Sequence, residues 1–331
     1  MVGRAPASRG AHRGSGHPGK PIDRRPGALN RVPDTPPDLL GQKVSGVVWS
    51  VAWELLRRMP EGAAFALADL GGRWAARRAG PTRERVRANL ARIVPPDALE
   101  ATVDAAFRSY ARYWAEAFRA ADMPADAVRE RVFAESFDKL DDILDQGRGA
   151  IVLLAHHGSW DVAARWAEVV GYHLAVVAEV VRPHRVFRRF VQLREAMGLE
   201  VVPLIPRNGL GGKGIATRLG EVLRDNHMVG LLTDRDLSGT APLVDFFGEP
   251  CRLPVGATVL AKRTQAPVVP IATMHRPGRR WHFQVLEPRF LHEMEVHEAQ
   301  QEVALALEEI IRLDPSQWHA FQRIWPARPE Q

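Results

Sequence analysis

His156-His157-Gly158-Ser159-Trp160-Asp161 brings together the residue types that a group transfer needs. A hydroxyl is a poor nucleophile until a base takes its proton, and a neutral imidazole is the usual base near pH 7. A carboxylate on the other ring nitrogen fixes the tautomer and stabilises the imidazolium that forms. The stretch follows the apolar run Ala150 to Ala155 and precedes a helix-like segment from Val162 to Val170. His156 therefore sits at the C-terminal end of a strand, where α/β enzymes gather their ligands. Asp161 lies about one helical turn past the loop and is expected to fold back and orient the ring. A strand-end histidine satisfied by backbone, with Asp161 capping a helix, fits the same residues. His157 is four positions from Asp161 rather than five, and is read as packing or substrate contact.

A second constellation, Thr233-Asp234-Arg235-Asp236, follows the strand-like run Val229 to Leu232 and falls on the same sheet edge. Its acids fit a salt-bridged turn, a support for the base, or contacts to a polyhydroxy acceptor. No third ligand accompanies them, so no metal is expected. Covalent catalysis is set aside. Gly158-Ser159-Trp160 is not a G-x-S-x-G elbow, and Cys251 has no base beside it in sequence. Gly209 to Gly214 is not a Walker A loop, because Gly214 stands where Ser or Thr should follow Lys213. A flexible turn, or a phosphate held at the following helix, fits it.

These residues need a scaffold. From residue 148, short apolar runs alternate with helical segments. Strands are expected at Ala150–Leu154, Leu174–Ala178, Glu200–Pro203, Val229–Thr233, Val268–Thr273 and His282–Leu286. Helices are expected near 161–170, 184–197, 213–225, 255–265 and 296–313. The alternation predicts an α/β fold, a central, mostly parallel sheet flanked by helices. Residues 38–147 read as an N-terminal helical, membrane-facing section, and 148–331 as the α/β core, with 38–331 one structural domain. Residues 1–37 are rich in Pro, Gly, Arg and Ser and read as a disordered basic tail. That tail is either an electrostatic tether or a dispensable extension.

In the helical section, Trp49 and Trp53 are four apart and share a face, followed by Arg57-Arg58. Such a helix fits a membrane interface, and the two tryptophans are expected to face lipid together; buried packing gives the same pattern. Arg73, Arg77, Arg78, Arg83, Arg85, Arg87 and Arg92 form a basic run, read as a solvated face or an anionic-lipid contact. Phe107, Tyr110, Tyr113, Trp114 and Phe118 read as a core-facing aromatic stripe.

Composition bounds the options. The chain has 331 residues, 46% of them hydrophobic, enough for a substantial core. Net charge is +6 and the isoelectric point about 9.9, which suits nucleic acid, an anionic membrane or a phosphorylated ligand. No nucleic-acid motif accompanies the arginines, so nucleic acid is not expected as a partner. The lone Cys251 forms no internal disulfide, and a reducing setting follows. No run reaches the roughly 18 apolar residues of a membrane span.

The two constellations resemble the lysophospholipid-acyltransferase superfamily, in its lipid A lauroyl/myristoyl acyltransferase branch. His156-x4-Asp161 resembles its histidine–acid box. Arg182-Pro183 resembles its downstream arginine–proline step. Asp234-Arg235-Asp236 with Phe246-Phe247-Gly248 resembles its D-x-D…FFG block, and Trp318 to Trp325 its closing segment. Within that branch, Arg87 to Arg92, Ser109 to Arg119 and Pro254 to Ala257 are most similar to actinobacterial phosphatidylinositol mannoside acyltransferases. The resemblance implies transfer of an acyl group, commonly palmitoyl, from acyl-CoA to a mannose hydroxyl of the glycolipid. An acyl carrier protein is the rival donor. His156 would be the general base with Asp161, and Asp234 a supporting carboxylate. Backbone amides near Gly158 would hold the oxyanion. Arg182, Arg235, Asp236, Glu179, His157 and Trp160 would contact substrate. No cofactor beyond the co-substrate acyl-CoA is implied. The partners implied are the glycolipid acceptor and an anionic membrane surface, with the enzyme a monomer, peripheral on the cytoplasmic face of the cell membrane.

Overall fold

Alternating apolar runs and amphipathic segments build one layered structure. The computed structural model describes residues 50–179, 184–204, 213–236 and 239–325. The tail 1–37, Trp49, Arg182 and the glycines at 209–212 lie outside the described residues. Helix α1 runs over 50–58. It is followed by α2 (Glu61–Arg78), α3 (Pro81–Leu90), α4 (Pro96–Ala117) and α5 (Ala125–Arg131). Strand β1 (Val132–Glu135) and α6 (Asp138–Asp145) lead into β2 (Ala150–Leu154), α7 (Trp160–Val170), β3 (Leu174–Glu179), α8 (His184–Ala196), β4 (Glu200–Leu204), α9 (Lys213–Arg224) and β5 (Met228–Leu232). Then come β6 (Leu243–Phe246), β7 (Glu249–Arg252), α10 (Gly256–Thr264), β8 (Val268–Arg276), β9 (Arg280–Val285) and α11 (Val296–Arg312).

Seven strands form one sheet in the order β1-β9-β8-β2-β5-β3-β4. All neighbours are parallel except β8 and β9, which form an antiparallel pair. All six expected strands are present. The central ones read as continuous apolar runs because both sheet faces are covered. Ile151 and Leu153 of β2 join a core with α4, α10 and α11, while Ala150 and Val152 join a second core with α6 and α7. The alternation of the strand thus splits one apolar run between two cores.

Two elements depart from expectation. The section read as wholly helical contributes β1, which pairs with β9 and extends the sheet. Its alternating Val132-Phe133-Ala134-Glu135 is too short for its period to stand out between helices. The Phe246-Phe247-Gly248 block is the turn of a separate hairpin, β6–β7, where Phe246 pairs with Glu249. Phe247 and Gly248 both have positive φ, 53° and 77°, as a two-residue type I′ turn requires.

Candidate active site

Strand pairing decides which carboxylate meets His156. Strands β2 and β5 are adjacent and parallel, with Leu154 opposite Leu232. His156 and Asp234 each lie two residues beyond that matched pair, so they leave the sheet side by side. His156 Nδ1 is 2.6 Å from Asp234 Oδ1. The indole Nε1–H of Trp318 donates to the other oxygen, Oδ2, at 2.8 Å. Asp234 and Trp318 are both 1% exposed. Since an ionised carboxylate only accepts, the contact puts the imidazole proton on Nδ1 and a lone pair on Nε2.

Asp161 does not pair with His156, and that expected contact is corrected. It sits in the first turn of α7, buried, where Arg194 Nε reaches Oδ1 at 3.0 Å and the Tyr113 hydroxyl donates to Oδ2 at 2.8 Å. A guanidinium and a phenol from α8 and α4 hold it instead. Spacing alone carried no sign of these partners, because they lie 33 and 48 residues away.

The loop between β2 and α7 is locked from below. Gly158 has φ +64°, and a Cβ there would lie 2.0 Å from the Thr273 carbonyl oxygen, so only glycine fits. The Gly158 amide donates to Gln317 O and the Ser159 amide to Thr273 O. Both are committed to the fold, which removes them as the oxyanion donors the sequence suggested. The Ser159 hydroxyl donates to the fully buried Glu116, which also accepts from Arg112 at 2.7 Å. His157 packs inward, 1% exposed, with Nε2 on Asp314 O at 2.9 Å. Of its two readings, the structure gives packing.

Burial sets the charge states. It lowers the pKa of His156, against the pull of Asp234 toward the charged form. Burial opposes charge on Asp234, but the imidazole and the indole N–H outweigh it and hold the carboxyl well below its ordinary range. The resting pair is neutral His156 on ionised Asp234. Burial pushes the Cys251 thiol up to about 12, the reverse of an activated nucleophile.

His156 lines a cavity of about 870 Å³. Among the described residues nothing hydrogen-bonds its Nε2. Trp160, Asp161, Arg194, Arg235, Asp236 and His319 line the same cavity. Trp160 stacks on Tyr113 with ring centroids 3.9 Å apart and meets His156 edge-on at 5.4 Å. The interior wall is apolar, with Leu140, Val152, Trp166, Leu174, Phe187 and Phe283 beneath α7 and α8. Tyr110, Tyr113 and Trp114 of the aromatic stripe also face it, so a stripe read as core forms part of the wall. Glu179 ends β3, but its side chain lies outside the described residues, as does Arg182. Sequence reasoning missed Arg194, Tyr113 and a role for Trp318. The aromatic stripe and the Ser109 to Arg119 block pointed to Tyr113, and the Trp318 to Trp325 block to Trp318, without giving either a role; no signal pointed to Arg194.

A histidine on a buried carboxylate, opening into a largely apolar cavity at the edge of a mostly parallel sheet, is the arrangement of an α/β enzyme's active site. The profile of the bacterial lipid A biosynthesis acyltransferase family matches residues 43–326, and the chain belongs to that family: it is an acyltransferase. The chain is 36% identical over 291 residues to the phosphatidylinositol mannoside acyltransferase of Mycolicibacterium smegmatis, covering 87% of this chain and 93% of that protein. It is 35% and 36% identical over 307 and 303 residues to the proteins of the same name from two Mycobacterium tuberculosis strains, covering 90% of this chain and 93% of each.

Proposed function

We propose that the protein moves a fatty acyl group, commonly palmitoyl, from acyl-CoA to a mannose hydroxyl of a phosphatidylinositol mannoside. The observation that carries this reading is the His156–Asp234 pair at the head of the apolar cavity. The names and coverage of the relatives support the acceptor. The apolar wall suits an alkyl chain, since burying each CH₂ contributes about 0.8 kcal/mol.

The reaction needs no covalent enzyme intermediate. Nε2 of His156 takes the proton of the acceptor hydroxyl as its oxygen attacks the thioester carbonyl. Asp234 stays ionised and stabilises the imidazolium. The C–S bond breaks as the tetrahedral intermediate collapses, and the imidazolium returns its proton to the departing sulfur. An ester and a free CoA thiol leave. Arg235, on the cavity wall, suits phosphate groups of donor or acceptor. Asp236 suits sugar hydroxyls. Glu179 and Arg182 remain proposed substrate contacts. The enzyme acts as a monomer, peripheral on the cytoplasmic face of the cell membrane. Among the described residues no helix is long and apolar enough to cross a membrane.

The test is transfer from radiolabelled palmitoyl-CoA to purified mannosides in detergent, wild type against His156→Ala. Labelled acylated mannoside made by wild type and lost in the variant is the expected result. No product with wild type, or equal product with both, would overturn the reading.

A further inference from the structure

Helix α2 is built inside out. Its inward face carries small residues, with Ala64, Gly72 and Ala76 buried. Its outward face carries the large ones: Leu67 is 45% exposed, Leu70 64% and Trp74 60%. These three recur at i, i+3 and i+7 and share one stripe, with exposed Ala63 and Ala66 beside them. The small face allows close approach to α4, since a Cβ on Gly72 would lie 2.7 Å from the Arg108 Cα. Packing explains the small residues and leaves the large ones unexplained. Water alone would favour the opposite arrangement.

Charge identifies the occupant. Most of the basic run from Arg73 to Arg92 is already paired. Arg73 binds Asp69, Arg83 binds Glu100 and Asp104, Arg87 binds Glu100, and Arg92 binds Glu249. Arg85 turns to the Phe321 carbonyl. Arg77 and Arg78 are the exceptions: exposed, in the last turn of α2, with no acid partner among the described residues. Arg78 lies over the Trp74 ring, 5.6 Å from its centroid. The exposed charge of this run that no acid matches therefore collects at the end of the apolar stripe, Arg85 being half-buried on α3. Two copies meeting through this same face would not answer that charge, because Glu61 at its other end is held by Arg131 and Arg279 and Asp69 by Arg73 and Arg108.

We propose that the outward face of α2 seats the enzyme on an anionic phospholipid bilayer. Leu67, Leu70 and Trp74 enter the interface, and Arg77 and Arg78 meet lipid phosphates. Helix α4, against which α2 packs, carries Tyr110, Tyr113 and Trp114 on the cavity wall, so docking there brings the cavity to the lipid. This inference rests on the lipid-acceptor reading and names the surface that reading requires.

The test uses the full chain and vesicles of phosphatidylcholine with or without phosphatidylglycerol. Replacing Leu67, Leu70 and Trp74 together by Ser should lower partition onto anionic vesicles about tenfold or more, with melting temperature and detergent-assayed transfer retained. Arg77→Gln with Arg78→Gln should abolish the preference for anionic over neutral vesicles and its salt dependence. A polarity-sensitive dye on Ala66→Cys, selective because Cys251 is buried, should report an apolar setting when anionic vesicles are added. Unchanged partition of the triple variant, or a dye that stays in water, overturns the proposal. So does a wild-type dimer that the triple variant dissolves, which would give the face to a second copy. Wild type that binds vesicles through this face yet transfers nothing in detergent sinks the acyl-transfer reading instead.

Discussion

Asp161 and Asp234 are two buried carboxylates, one expected to hold His156 and the other found to hold it, and their partners make them different devices. Asp161 is held by Arg194 and Tyr113; the guanidinium is always charged, so its negative charge is spent within the fold. Among the described residues Asp234 receives only neutral N–H donors, from His156 and Trp318, and keeps its charge for the imidazolium that forms when His156 takes a proton. The lesson is that a carboxylate can serve a base when its other donors are neutral, and that one matched by a fixed cation serves architecture.

The sharpest break of this comparison removes the base or its partner. His156→Ala should cut kcat about 10²–10⁴-fold, a typical loss for a general base. Asp234→Asn should approach that loss by admitting the wrong tautomer, with KM little changed. Steady-state transfer kinetics decide; a change confined to KM for Asp234→Asn would make Asp234 a substrate contact. Asp161→Asn should reverse the balance. It leaves Arg194 buried beside a neutral amide, so stability should fall by about 3–5 kcal/mol, as when a buried pair loses one partner. Urea unfolding measures this, and kcat of the protein still folded should fall less than in Asp234→Asn. A kcat loss equal to that of Asp234→Asn with unchanged stability would erase the distinction.

Trp318→Phe probes the second donor on Asp234. It removes one hydrogen bond to a charged group, about 1.5–3 kcal/mol, while keeping an aromatic ring in the pocket. Turnover should fall roughly tenfold at constant KM, with the acid limb of the rate profile displaced. A loss of stability with an unmoved pH profile would reduce Trp318 to packing. The smallest effect is on pH itself. The base must be neutral, and burial lowers the pKa of His156, so kcat/KM should hold at neutral pH and fall only as pH drops below about 6.5. Buried His157, lowered to about 4, with His275 and His319 also lowered, binds fewer protons folded than unfolded. Stability should therefore decline as pH falls from about 6.5 toward about 4, where His157 begins to charge in the fold. Melting temperatures across that range check the sign.

Much of this was legible from residues alone. Strands β2, β3, β4, β5 and β8 are apolar runs between polar turns and β9 alternates, patterns that are local, whereas the short hairpin strands β6 and β7 gave no such run. His156 stood out because a strand-end histidine followed by glycine and a helix is a local signal too. Trp53 shows where local signals stop. Its face suited lipid or core equally, and the fold buries it against Phe118, ring centroids 4.5 Å apart, and Phe190. Its expected exposure beside Trp49 is thus corrected, while the exposed apolar stripe lies on the next helix.

The amino-acid sequence by itself determined the α/β alternation, the histidine at the end of β2, and the acid-rich turn at the end of β5. It determined these because periodicity and turn chemistry act over a few residues. Only the tertiary structure decided that β5 lies beside β2 rather than β3 beside β2. That pairing, between residues 78 apart, gave His156 to Asp234 and left Asp161 to Arg194. Strand order follows from how helices cover both faces of a sheet, a balance over the whole chain that five residues of spacing do not carry.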